Sequence, residues 1–329
     1  MTPSLAHLCR AYAETRRATQ LTPLLRSPAL AGLSGAAQAF AKAENLQWSG
    51  SFKVRGALWR LSLLSEDERK RGAVAYSSGN FAQGLAAAGQ KLGIPVTLVM
   101  PVDAPAAKRD ATAGFGARVV LSEHGDRPRE EVASERARAI AAEENLVLLH
   151  PFDDPEIVAG QAGVGLEALD QLEALGARAD LVFCPAGGGG LIGGVSLAFH
   201  HRSPQTRVIG VEPERFDGMG RSLQAGEPIT VPLGEPSICD GLMARRPGVH
   251  TFPVSRATGV EPATVSDAAV RRAMKLAFER LKLVLEPSGA ASLAALLEGP
   301  FDIAGKSVLV VLSGGNVSFS DFARHISDA

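Results

Sequence analysis

A chain of 329 residues, 46% of them hydrophobic, is long enough for roughly two domains of about 100 to 200 residues each and can bury a large core. Its 34 basic and 35 acidic residues leave a formal net charge of -1, so no global field draws it to nucleic acid or to a membrane surface, and neither partner is expected. Cys9, Cys184 and Cys239 are too far apart and odd in number for a disulfide framework or a zinc site, and no window reaches the roughly 18 uncharged apolar residues of a spanning helix. A reducing, cytoplasmic location is expected.

The N-terminal 25 residues lack an apolar run with a small-residue cleavage site. The first conspicuous stretch is SGSFKVRGA, Ser49–Ala57, which sets Lys53 between Phe52 and Val54. A surface lysine is ordinarily a solvated charge, and Arg55 two places on reads as a partner for an acid. From 72 onward, short apolar runs bounded by Gly or Pro alternate with Ala-rich segments of helical period. Strands are expected at 72–78, 95–100, 117–122, 146–150, 180–185, 207–212 and 307–313, and helices at 81–92, 105–114, 127–144, 191–201 and 267–281. The last helix has Ser266 or Asp267 to cap it and Val270, Met274, Ala277 and Leu281 on one face. Strands apolar on both faces and joined by helices indicate an open parallel sheet, hence an α/β fold.

Four segments lie where such sheets bind ligands, at strand ends or helix starts. SSGNFAQGLA begins at Ser77; its serines and Asn80 read equally as helix caps or as an active-site rim. CPAGGGGLIGG, Cys184–Gly194, follows a strand and opens a helix, where glycines leave room for a ligand and unpaired N–H groups attract an anion. Without a GK[ST] ending it is no triphosphate loop. Gly188, Gly190 and Gly193 do spell GxGxxG, with Glu212 closing the next strand, so an NAD-dependent oxidoreductase is a reading of a different class. EPSGAAS, from Glu286, and LSGGN, Leu312–Asn316, complete the set; each has a bland reading as a cap or a turn.

A phosphate cradle, an amine in an apolar run and small polar groups at strand ends are the parts that pyridoxal phosphate chemistry requires. Burial of Lys53 would disfavour its ammonium form and leave more free nucleophile. The motifs SGSFKVRGA, SSGNFAQG, HPFDDP, CPAGGGGLIGG, EPSGA and LSGGN, in this order from about residue 42 to 316, resemble those of the threonine dehydratase and serine racemase family of fold-type II pyridoxal phosphate enzymes. The resemblance implies a tryptophan synthase beta-like fold with two open, twisted, mostly parallel sheets flanked by helices. It implies a large cofactor-binding domain of residues 1–50 plus 147–329, a small domain of residues 51–146 inserted in it, no C-terminal regulatory domain, and a homodimer.

It also implies site roles. Lys53 would form the Schiff base with pyridoxal 5'-phosphate and act as base, with Phe52 near the ring. Asn80 would bond the phenolic oxygen, and Gly187, Gly188, Gly189 and Gly190 would cradle the phosphate. Ser313 would face the pyridine nitrogen, and Gly241 and Glu286 would lie near the amino group or ring. Ser77, Ser78 and Gly79 would hold the substrate carboxylate, with Ser78 a second acid/base if the enzyme racemises. The implied reaction is β-elimination from a hydroxyamino acid such as L-threonine or L-serine, giving a 2-oxo acid and ammonia; serine racemisation and 3-hydroxyaspartate dehydration are alternatives. Phe81 stands where the family usually has His. Glu212 is either a ligand for Mg²⁺ or Ca²⁺ or a strand-end acid, because the carboxylate usual a few residues later is replaced by Gly218.

Overall fold

The computed structural model describes residues 3–232 and 234–329. Its strands are β1 (Leu24–Arg26), β2 (Gln38–Ala43), β3 (Ala73–Tyr76), β4 (Val96–Pro101), β5 (Arg118–Ser122), β6 (Val147–Leu149), β7 (Leu181–Pro185), β8 (Arg207–Pro213), β9 (Glu261–Val265) and β10 (Ser307–Leu312). They form a six-stranded sheet in the order β1-β2-β10-β7-β8-β9 and a four-stranded sheet in the order β5-β4-β3-β6. Every pairing is parallel except β1 with β2.

The continuous apolar character of β10 follows from its central position. Val308, Val310 and Leu312 pack into one core layer while Leu309 and Val311 pack into the layer on the opposite face. A strand covered on both faces has no polar side to write into its sequence. One layer is supplied by Ala290, Leu293 and Ala294 of the Pro287–Glu298 helix, with Val270, Ala273 and Met274 of the Asp267–Leu276 helix. The other is supplied by Val164, Ala168 and Leu172 of the Pro155–Ala174 helix, with Ile192, Val195 and Phe199 of the Gly190–Arg202 helix. The smaller sheet has its own core, in which Ala73, Ala75, Leu98 and Met100 meet Leu85 of the Asn80–Leu92 helix and Val54, Leu58 and Leu61 of the Lys53–Ser62 helix.

Differences from the sequence reading have local causes. The Asp267 helix keeps α-helical turns only to Leu276 and widens into a π-helical turn over Ala277–Leu281, ended by Lys282 at φ 60°. β6 lies just past 146 yet pairs with β3 in the smaller sheet. β2 reads QAFAKA, an alanine-rich stretch without strand propensity, and becomes a strand because β10 and β1 pair with it on either side. β9 carries Pro262, which an edge position tolerates. Among the described residues no helix is long and apolar enough to cross a membrane. Cys9, Cys184 and Cys239 are free thiols, the last two buried.

Candidate active site

Lys53 begins the Lys53–Ser62 helix, and two sets of bonds fix where that helix starts. Ahead of it, Phe52 N–H donates to Ser313 O (3.1 Å), and Gly315 N–H donates to Gly50 O (2.9 Å), tying the segment to the end of β10. Behind it, the fully buried Arg55 donates to both Glu44 oxygens (2.8 Å each) and to Glu167. Lys42 adds a second buried cation on Glu167 at 2.6 Å. Four charges with their hydrogen bonds satisfied make a stable dry network, whereas any one of them alone would be costly. Arg55, read from the sequence as a partner for an acid, thus pairs with two and anchors the lysine's helix.

The Lys53 amine sits inside the protein and donates to Pro151 O at 3.0 Å. It lies 5.2 Å from the centroid of the Phe52 ring and 5.6 Å from that of Phe81. Desolvation lowers its pKa to about 8, against a partial pull upward from the Glu286 carboxylate. At pH 7 about a tenth of such an amine is free base, roughly 300 times the fraction of an ordinary lysine.

Asn80 donates through Nδ2 to Glu286 Oε1 and accepts through Oδ1 from Asn316 Nδ2 (2.9 Å), which in turn donates to Ser49 O (3.0 Å). Both ends of the Asn80 amide are therefore specified, and one Nδ2 hydrogen is left over. Glu286 is 1% exposed, and its Oε2 makes no hydrogen bond. Burial raises its pKa to about 7; Lys108 opposes that rise and Asp240 adds to it. Lys108, from the Ala106–Gly114 helix, stands 3.8 Å from Glu286 Oε2 and pairs directly with Asp240. Its Nζ also lies 3.5 Å from where a Cβ on Gly79 would be. Gly241 N–H donates to Ser288 Oγ (2.9 Å), beside Asp240.

The glycine loop departs from the simplest expectation for it. A Cβ on Gly188 would lie 2.6 Å from the Phe152 ring, one on Gly189 2.5 Å from Thr251 Oγ1, and one on Gly190 3.1 Å from Phe152 Cβ. The glycines make room for protein on their Cα side rather than only for a ligand. Gly189 also sits at φ 101°, which favours a residue without Cβ. Among the described residues, the N–H groups of Gly187, Gly188, Gly190, Leu191 and Ile192 find no acceptor in the chain. Unpaired donors at a helix start suit a phosphate. A Cβ on Gly193, by contrast, would lie in ordinary contact with Val158 and Val254.

Three expected residues already have partners within the protein. Ser78 Oγ donates to Glu130 Oε1 (2.8 Å) on the Arg129–Glu143 helix, and Ser77 Oγ accepts the Gly79 N–H (3.2 Å), a local turn bond. Glu212 is buried and accepts Met219 N–H (3.0 Å) and Gly220 N–H (2.8 Å), while Asp217 pairs with Arg221. Burial raises the Glu212 pKa to about 8, against those two bonds. With both oxygens taken by backbone, Glu212 is not free for a ribose, and the nicotinamide reading loses its acidic partner. Among the described residues no group of three or more His, Cys, Asp or Glu side chains is placed to hold a metal ion.

Lys108, Asp240 and Ser288 escaped the sequence reading. Lys108 in APAAKRD has the look of any helix-surface lysine, and only the approach of the smaller sheet's helices to the Asp240 turn buries it. Pyridoxal phosphate fits these groups: an amine with lowered pKa, a row of unpaired N–H groups, a free Asn80 hydrogen, and the Ser313 hydroxyl, which is 4% exposed and makes no hydrogen bond within the described chain.

Residues 16–314 match the family model described as "Pyridoxal-phosphate dependent enzyme". The chain is 40% identical over 306 residues to the L-threonine ammonia-lyase of Thermotoga maritima, covering 93% of this chain and 74% of that one. It is 39% identical to the L-threo-3-hydroxyaspartate ammonia-lyase of Saccharomyces cerevisiae, covering 93% and 91%. A solved threonine deaminase from T.th. superposes with a TM-score of 0.88 at 41% identity, over 96% of this chain and 99% of that one. Maize serine racemase superposes with a TM-score of 0.91 at 31% identity, over 99% and 98%. The two mostly parallel sheets, the desolvated lysine and this match over most of the length make the chain a member of the pyridoxal-phosphate dependent enzyme family, with the fold-type II architecture.

Proposed function

We propose that this enzyme removes the β-hydroxyl of a small hydroxyamino acid, of the L-threonine, L-serine or 3-hydroxyaspartate kind, and yields a 2-oxo acid and ammonia. The observation that carries this reading is the desolvated Lys53 amine, held between Phe52 and Phe81 beside Glu286. The names of the relatives support the same class of reaction.

When bound, pyridoxal phosphate supplies the electron sink that makes the substrate Cα proton acidic. Lys53 Nζ would hold the cofactor through its aldehyde group and, when free, would take the Cα proton as general base; its lowered pKa suits both tasks. The unpaired N–H groups of Gly187, Gly188, Gly190, Leu191 and Ile192 would bind the phosphate. Asn80, oriented by Glu286 and Asn316, would present its free hydrogen to the phenolic oxygen. Ser77, Ser78 and Gly79 receive the substrate carboxylate, with the Lys108 charge nearby. Ser313 offers a neutral hydroxyl to the ring nitrogen. Such a partner would leave that nitrogen largely unprotonated and stabilise negative charge at Cα less than a carboxylate partner would, and so favour prompt loss of the β-hydroxyl as water, balanced by the proton removed from Cα.

Racemisation has one observation on its side. The Ser78 hydroxyl donates to Glu130, which gives it somewhere to pass a proton. Incubation with L-serine, L-threonine and their D forms, with 2-oxo acid and enantiomer ratio both measured, separates the two reactions. We expect 2-oxo acid from the L forms with little D product. Lys53→Ala is expected to lose the visible absorbance of the covalently held cofactor and about 10²- to 10⁴-fold of the rate. Retention of that absorbance would refute the role given to Lys53.

A further inference from the structure

The elimination assigns no work to the HPFDDP segment, His150–Pro155, yet its residues reach toward the site in several directions. His150 Nδ1 accepts the N–H groups of Phe152 (3.3 Å) and Asp153 (2.8 Å). An accepting Nδ1 requires the neutral ring with its proton on Nε2, and Nε2 lies 3.0 Å from the Tyr76 hydroxyl at the end of β3. Inside the turn closed by those two bonds, Pro151 O receives the Lys53 amine, and the Phe152 ring fills the space below Gly188. Asp153 Oδ2 accepts Val249 N–H (2.8 Å) and its Oδ1 accepts His250 N–H (2.7 Å). The adjoining Gly248 N–H (3.2 Å) and Thr251 Oγ1 (2.7 Å) both donate to Gly188 O. Asp154 caps the Pro155–Ala174 helix and pairs with Arg60 on the lysine's own helix at 2.8 Å.

We propose that His150 is a positioning residue whose neutral ring folds the 150–153 turn into one unit holding both the Lys53 amine and the glycine loop, and whose protonation releases the two together. The proposal rests on the roles given above to Lys53 and the glycine loop. A proton on Nδ1 would face two N–H groups already directed at that atom, so both bonds would be lost at once. The charged and titratable groups around the ring are Asp153 and Asp154 of its own turn, Lys53, Arg138 of the Arg129–Glu143 helix, and Tyr76 of β3. Burial holds the imidazole's pKa below its usual value; Asp153 opposes that shift and Lys53 reinforces it. The neutral, turn-forming ring therefore prevails at neutral and alkaline pH and is lost as the solution is acidified.

Two variants separate the acceptor from the titration. His150→Asn keeps an acceptor near the Nδ1 position and cannot be protonated, whereas His150→Phe keeps a ring and offers no acceptor. Each holoenzyme, after thermal melting at about pH 8 has established folding, is titrated for pyridoxal phosphate affinity by visible absorbance and tryptophan fluorescence between about pH 8 and about pH 5.5. The parent is expected to lose several-fold more affinity over that range than His150→Asn, up to a ceiling of about tenfold. His150→Phe is expected to bind about tenfold more weakly than the parent already at the alkaline end, with kcat reduced more than KM is raised. Identical acid losses in the parent and His150→Asn would overturn the proposal alone. So would parental affinity in His150→Phe at the alkaline end. No visible band in the parent at any pH would overturn the Lys53 assignment and this proposal with it. If His150→Phe does not fold, the comparison of the parent with His150→Asn decides the matter.

Discussion

Replacing Lys108 by Met should move the acid limb of the pH–rate profile upward, because Lys108 is the cation nearest the otherwise unbonded Oε2 of Glu286. At 3.8 Å the pair attracts by about 4 kcal/mol at an effective dielectric constant of about 20, a ceiling of about three pKa units. Water entering the vacated space reduces the expected shift to about one or two units, and Asp240, left without its cation, acts in the same upward direction. The direction follows from the group. Burial has already raised the Glu286 carboxyl to about 7, so its anionic form is lost as pH falls through that value. Without Lys108 the loss begins at higher pH, and the bond that orients Asn80 weakens with it. The assay is kcat/KM for 2-oxo acid formation between about pH 6 and about pH 10, with visible absorbance of the holoenzyme as a second readout. Lys108→Arg keeps the charge and should restore most of the limb. A Met variant with the parent's profile, folded and loaded with cofactor, would refute the reasoning.

Gly188→Ala should cost about 1 to 3 kcal/mol of stability and weaken cofactor binding, because its Cβ would lie 2.6 Å from the Phe152 ring; denaturant midpoints and absorbance titration measure the two effects. Arg55→Met leaves Glu44 without its direct cation in a dry site and should destabilise by about 3 to 5 kcal/mol. The double variant Arg55→Met, Glu44→Met should recover much of that loss in the same unfolding experiment. Exhaustive chelation is expected to change the rate by less than about twofold, because both Glu212 oxygens already accept backbone N–H groups; a larger loss reversed by Mg²⁺ or Ca²⁺ would show that Glu212 can exchange those bonds for a cation.

Much of the architecture was legible because its causes are local. β7, β8 and β10 are buried on both faces, so their apolar runs mark them as parallel strands in any context. The glycine loop and Lys53 stood out as candidates because phosphate binding and amine chemistry each require an uncommon run of residues. β2 was not legible: nothing in QAFAKA favours a strand until β10 and β1 offer their hydrogen bonds.

The amino-acid sequence by itself determined the class of chemistry and the cofactor and singled out the lysine proposed to serve it, since those depend on residue types in a fixed order. Only the tertiary structure decided the electrical state of the site. Lys108 approaches from one sheet's helices, and Asp240 and Glu286 from the other part of the chain, so their mutual charges exist only when the two meet. The same holds for the glycines, whose missing side chains are explained by Phe152 and Thr251, residues remote from them in the chain. Distances between remote segments decide charge and close packing, and a one-dimensional pattern does not carry those distances.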